Sequence, residues 1–193
     1  MIYLIIIVSA MAAVSALNIA FNPAHEWYVY VLAVIGFTVL AVAVDGVVAF
    51  VIRRMPEKYF DYRRRIFKTT EKSMKFYDMI GVKRWKDFVP ELGMFTNFRK
   101  NKIRNPGDSQ YLERYILEAC YGIVIHYASV PTSFLLILFD FGMYSGNSNL
   151  WLTVAVPVAI VNAILILLPA YILKYNLPKI VRLYELRKKR DSK

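Results

Sequence analysis

Lysine and arginine are missing from the first 52 residues and again from Tyr115 to Leu173, although the 193-residue chain holds 25 of them. All lie in two blocks, Arg53 to Arg114 and Lys174 to Lys193. A soluble domain interleaves charge along its surface, so this interruption points to a different solvent. Cysteine is nearly absent too, and the single Cys120 excludes a disulfide framework within one chain. Only two histidines occur, His25 and His126, with no paired ligand spacing, so no metal site is expected. No glycine-rich phosphate loop is present. The formal charge of +11 would suggest nucleic acid in a soluble protein. Beside apolar spans, basic residues set topology and attract anionic lipid, each worth about 1 kcal/mol near a negative surface, so anionic membrane lipid is the expected partner and nucleic acid is not.

In place of charge the sequence has long apolar runs. A helix needs about 20 mostly apolar residues to cross roughly 30 Å of hydrocarbon. Four segments qualify: Ile2–Phe21, Trp27–Ile52, Ala119–Phe139 and Trp151–Leu173. They are too long for core strands, and the short alternating segments of an outer-membrane barrel are absent. The expectation is an all-α membrane protein, one integral membrane domain with four transmembrane helices. An even number of crossings separates the two basic blocks, so they share a side, and the positive-inside rule makes it the cytoplasm. Both termini are then cytoplasmic, and the connections Asn22–Glu26 and Asp140–Leu150 face outward in a multi-pass protein of the cell membrane. Ala10-Met11-Ala12 resembles a cleavage site, yet the first segment lacks a positive n-region and its run is about twice the usual h-region. It is expected to be a retained helix.

Between the second and third spans lie residues 53–114. From Glu57 to Ile80 the residues Tyr59, Phe60, Ile66, Phe67, Met74, Phe76, Tyr77 and Ile80 recur near helical spacing among seven Lys and Arg residues. This predicts a basic amphipathic helix lying in the membrane interface, with Pro56 in its first turn. A second aromatic and basic cluster follows Gly81, and the Asn-, Gly- and Pro-rich stretch Asn97–Gln110 reads as a loop. The basic tail 174–193 repeats the amphipathic pattern after Pro178, with Leu177, Ile180, Val181, Tyr184 and Leu186 as its stripe.

Polar groups inside a span are costly and mark functional hypotheses. Asn18, Asp45, Glu118, His126 and Asn162 are the candidates. His126 is the sharpest, because a neutral imidazole in a water-poor setting is a competent general base. Glu118 is eight residues earlier, about 12 Å along a helix axis, and so cannot bond it directly. An orienting carboxylate would have to come from another helix, and Asp45 is the best placed by depth. Gly122, one turn before His126, makes room for a substrate or for a neighbouring helix. The competing reading of His126 is a hydrogen bond joining two helices. Asn162 reads as an interhelical partner, Cys120 as a small apolar residue, and Pro131, Pro157 and Pro169 as kinks.

The run Pro56-Glu57-Lys58-Tyr59-Phe60, then Phe67-Lys68, Trp85-Lys86, Glu118 with His126-Tyr127, and Tyr175-Asn176-Leu177-Pro178-Lys179 before a basic tail resembles the glycosyl-4,4'-diaponeurosporenoate acyltransferase family. Members esterify a fatty acyl group onto the sugar of a glycosylated carotenoid. The resemblance covers roughly Pro56 to Arg190. It departs at Ile123, where the family pattern has a second carboxylate, and at Tyr127, where it has Trp; the segment Trp27–Ile52 is additional.

The resemblance implies a lipid-like glycosylated acceptor, with acyl-CoA or acyl carrier protein as donor and no bound cofactor. His126 would take the hydroxyl proton, with Glu118 and Asp45 in support. Asn176 or Lys86 would donate to the carbonyl oxygen. Arg84, Lys83 and Lys179 would attract donor phosphates, and Trp85 and Tyr175 would flank the mouth. Glu118 would orient Arg114, Lys86 or Lys179. A non-enzymatic four-helix protein binding anionic lipid or a partner stays open on the sequence, as does a transporter, although no inverted repeat is apparent.

Overall fold

The computed structural model describes residues 2–22, 25–89, 103, 105–138 and 150–191. Among them are six α-helices: α1 (Ile2–Phe21), α2 (Trp27–Arg53), α3 (Glu71–Met79), α4 (Val82–Trp85), α5 (Ser109–Ser133) and α6 (Leu150–Asp191). Short 3-10 turns occupy Glu57–Phe60, Lys86–Phe88 and Phe134–Leu138, and no strand occurs among the described residues. Four helices are long and apolar enough to cross a membrane: α1, α2, α6 and α5 with its 3-10 extension. This is the all-α architecture the apolar runs predict.

The boundaries differ in three informative places. α5 starts at Ser109, ten residues before the predicted span. Asp108 Oδ1 accepts from the amides of Gln110 (2.9 Å) and Tyr111 (3.1 Å), capping the helix. Its first turns bury Leu112, Tyr115 and Ile116 while Glu113 and Arg114 stay exposed, an amphipathic start that a search for uniform apolarity misses. At its other end lies Pro131, and the hydroxyls of Thr132 and Ser133 take up the carbonyls of Ala128 and Ser129 before the chain tightens into the 3-10 turn. Second, the predicted fourth span and the basic tail are one 42-residue helix, about 63 Å long, in which Pro157, Pro169 and Pro178 are accommodated.

The third difference is a correction. No continuous amphipathic helix runs from Glu57 to Ile80. After the turn at Glu57–Phe60, the side chain of Asp61 accepts from the Arg63 amide at 2.9 Å, and successive tight turns carry the chain to Phe67 and Lys68. A helix resumes only at Glu71, capped by Thr70, whose hydroxyl accepts from Ser73 N. Aspartate and threonine hydrogen-bond nearby amides outside a helix, and here that local preference overrides the apolar spacing. Gly81, with φ +68°, reverses the chain between α3 and α4. Half of the predicted loop 97–110, and almost all of the outer connection 140–150, lie outside the described residues, and Ser109 and Gln110 at the end of that loop belong to α5.

The chain divides into two compact units, Met1–Phe50 with Tyr127–Leu167, and Val51–His126 with Leu168–Lys193. In the first, Val14, Tyr30, Val34, Phe37, Leu136, Val154 and Val158 pack with Ala33, Ala41, Ala155 and Ala159. Small residues let helix backbones approach, which matters where lipid offers no hydrophobic drive for helix association. Asn18 Nδ2 donates to Thr153 O at 3.0 Å and Asn22 Nδ2 to Thr153 Oγ1 at 3.3 Å, joining α1 to α6. Leu17, Leu32, Val39, Val42 and Val47 point outward, as lipid-facing side chains would.

In the second unit Phe60 packs on Tyr121 with ring centroids 4.0 Å apart, and Tyr121 Oη donates to Met55 O at 3.3 Å. Phe76 and Tyr77 of α3 meet Tyr171 of α6. These aromatic contacts fix the segment 53–89 against α5 and α6.

Candidate active site

His126 is the last residue of the second unit's part of α5, half-buried and engaged with its surroundings. Glu118 lies two turns earlier on the same unbroken helix, so the separation of about 12 Å holds. Its carboxylate, only 13 % exposed, pairs with Arg53 at 3.0 Å and with Arg114 at 2.9 Å. Arg114 also reaches Glu57 at 3.2 Å. Of the three cations considered for Glu118, Arg114 is the one that this network holds; Arg53 enters it unforeseen. Glutamate four residues after arginine on one helix face is a signal available in the sequence.

Gly122 faces α6 closely. A Cβ there would stand 2.7 Å from Leu173 Cδ1, so the space the glycine opens is filled by a leucine side chain. One residue on, Lys174 is 7 % exposed, and its ammonium donates to Ile66 O (2.7 Å) and Lys68 O (2.9 Å). Thr69 Oγ1 donates back to Lys174 O at 3.0 Å. Lys174 reads in sequence as the first residue of a basic tail, but it is a buried clasp. The only hint is that it directly ends an apolar run.

Tyr175 and Lys179, one helical turn apart, come together, with Lys179 Nζ 3.6 Å from the ring centroid. Tyr175 is buried, Asn176 half-buried and Lys179 exposed. Trp85 Nε1 donates to Ile80 O at 2.9 Å, ending α3. Lys86 is half-buried beside it, and Lys83 and Arg84 are exposed. Asp45 belongs to the first unit. There Asn162 Nδ2 donates to its Oδ2 at 3.2 Å and to Ser133 Oγ at 3.0 Å, the interhelical role expected of Asn162. Asp45 Oδ1 and Ser129 Oγ are buried atoms outside these hydrogen bonds.

The second unit also carries an open depression of about 560 Å³ on the face where the turn after α2, the first turns of α5 and the last turns of α6 meet. His126 is not among its lining residues.

Comparison with protein families matches residues 56–186 to glycosyl-4,4'-diaponeurosporenoate acyltransferase, more than half of the chain. The chain belongs to that family. No curated protein and no solved structure matches it. The matched region begins at Pro56, so the family's shared part includes the Glu57–Arg114–Glu118 network, His126 and the Tyr175–Lys179 pair but leaves out α1 and all of α2. Four apolar helices fit a multi-pass membrane acyltransferase.

Proposed function

We propose that the protein transfers a fatty acyl group from an activated thioester, acyl-CoA or acyl carrier protein, to a sugar hydroxyl of a membrane-borne glycolipid such as a glycosylated carotenoid. The reading rests on family membership together with a half-buried imidazole on α5 at the end of a unit rich in cations. The sugar oxygen attacks the thioester carbonyl while His126 takes the hydroxyl proton. A tetrahedral oxyanion forms, and Asn176 or Lys86 donates to it. Its collapse forms the ester and breaks the carbon–sulfur bond; the thiolate leaves with the proton from His126. Keeping this step out of water limits thioester hydrolysis. Lys83, Arg84 and Lys179 draw in the anionic donor, and Trp85 and Tyr175 border its approach. Glu118 acts at a distance from His126 by holding Arg114 and Arg53. The enzyme works from the cytoplasmic leaflet of the cell membrane, with both termini in the cytoplasm.

The test uses purified protein with labelled acyl thioester and an alkyl glycoside or glycolipid acceptor. His126→Ala should lose transfer by at least about a hundredfold while keeping its thermal stability. Wild-type rates in that variant would remove the general base.

A further inference from the structure

We propose that the depression in the second unit binds the nucleotide end of acyl-CoA, which makes acyl-CoA the donor. This rests on the acyl-transfer reading above.

Three aromatic residues contribute to the lining: Phe60 and Tyr184 are buried beneath it, and Tyr62, half-buried, is the ring open to a ligand. Tyr62 and Tyr184 meet edge to face with centroids 6.5 Å apart, and Tyr62 Oη donates to Glu185 Oε1 at 2.5 Å, so the flat surfaces are fixed before any ligand arrives. Cations frame them. Arg63 lies over the Tyr62 ring at 5.4 Å, Lys188 over Tyr184 at 5.7 Å, and Arg114 is held by Glu57 and Glu118. Asp61, Glu113 and Gln110 supply acceptors and an amide.

A planar base, hydroxyls and phosphates find partners here in the Tyr62 ring, the carboxylates and the guanidinium groups respectively. The volume is in the range of small-ligand sites. An acidic carrier protein would fit a convex, uniformly basic surface better than a concavity that mixes three acids among its cations.

Distance supports the same end of the donor. Leu117, the lining residue of α5 nearest His126, precedes it by nine residues, about 13 Å along the helix. A sugar resting in the depression is therefore too far away for its hydroxyl to be the one deprotonated. The pantetheine arm, about as long as four or five extended residues or roughly 15 Å, covers that gap and brings the thioester to the imidazole.

The experiment titrates full-length detergent-solubilised protein with adenosine 3',5'-bisphosphate, alone and against acyl-CoA. Binding should weaken about tenfold in Arg63→Gln and in Lys188→Gln, the loss expected for one charged hydrogen bond, and should be unchanged in His126→Ala. Both substituted residues are exposed, so the folded state is kept. Absent binding to the wild type, or wild-type affinity in both variants, overturns the assignment. If the wild type transfers acyl groups only from a carrier protein, the reaction stands and the nucleotide site falls. If the bisphosphate binds as described but no acyl-CoA and glycolipid yield an ester, the site stands and the reaction falls.

Discussion

Single side chains hold the second unit together through polar contacts that charge counting does not reveal. Lys174 satisfies two carbonyls of the irregular turn and is itself nearly out of water. Leaving buried acceptors without a donor costs about 1–3 kcal/mol each, so Lys174→Met should lower the unfolding temperature clearly, whereas Arg182→Met at an exposed position of α6 should leave it within error. Differential scanning fluorimetry separates the two. Tyr62 offers a check of opposite kind. Burial pushes its phenol up, and donation to Glu185 pushes it further. The folded chain thus holds this proton more tightly than the unfolded one. The stability it contributes is whole below the ordinary tyrosine value near pH 10 and lost as pH rises through the raised one. Wild type and Tyr62→Phe should converge in stability in that alkaline window. His126, Glu118 and Asp45 stand out in the sequence because charge at membrane depth is rare. Lys174 does not, because a lysine at the edge of a span looks the same whether it snorkels or is clasped.

The helices follow the apolar runs where those runs are uniform and depart from them where local chemistry competes. α1 and α2 match the predicted spans to within a residue. α5 does not, because its amphipathic first turns bury one face only. Aromatic spacing at Glu57–Ile80 promised a helix, and Asp61 with Thr70 broke it, a result of side chains hydrogen-bonding to neighbouring backbone. The close approach of α5 and α6 at Gly122 carries its own test. Alanine there gains about 0.8–1 kcal/mol of helix propensity and needs only the tip of Leu173 to swing aside, so its net cost should be small. Gly122→Leu has no such escape and should destabilise by about 1–3 kcal/mol, with Leu173→Ala in the same chain restoring most of the loss. Chemical or thermal unfolding of the three variants reads this directly.

For the molecule as a whole, the apolar runs already carried the class and the four helices long enough to cross a membrane, the motifs between Pro56 and Lys179 carried the family, and the two basic blocks the expected sidedness. The internal division into two units and the depression are products of long-range pairing, which no window along the chain contains. Both ends should lie in the cytoplasm. A fluorescent protein fused after Lys193 should glow and a phosphatase fused there should be silent; the reverse would invert the orientation. The Asp45–Asn162 bond gives assembly an order. These partners are 117 residues apart, so at about 5–20 residues per second the ribosome delivers Asp45 to the bilayer several seconds before the amide that will engage it exists. A carboxylate adds up to roughly 2.5–3.5 kcal/mol to the difficulty of insertion, the full figure holding at a helix centre, and until α6 emerges Asn162 cannot relieve any of the share that falls to Asp45. Nascent chains stalled before Leu150 should therefore be prime targets for membrane proteases, and pulse–chase labelling should find them markedly shorter-lived than the finished protein.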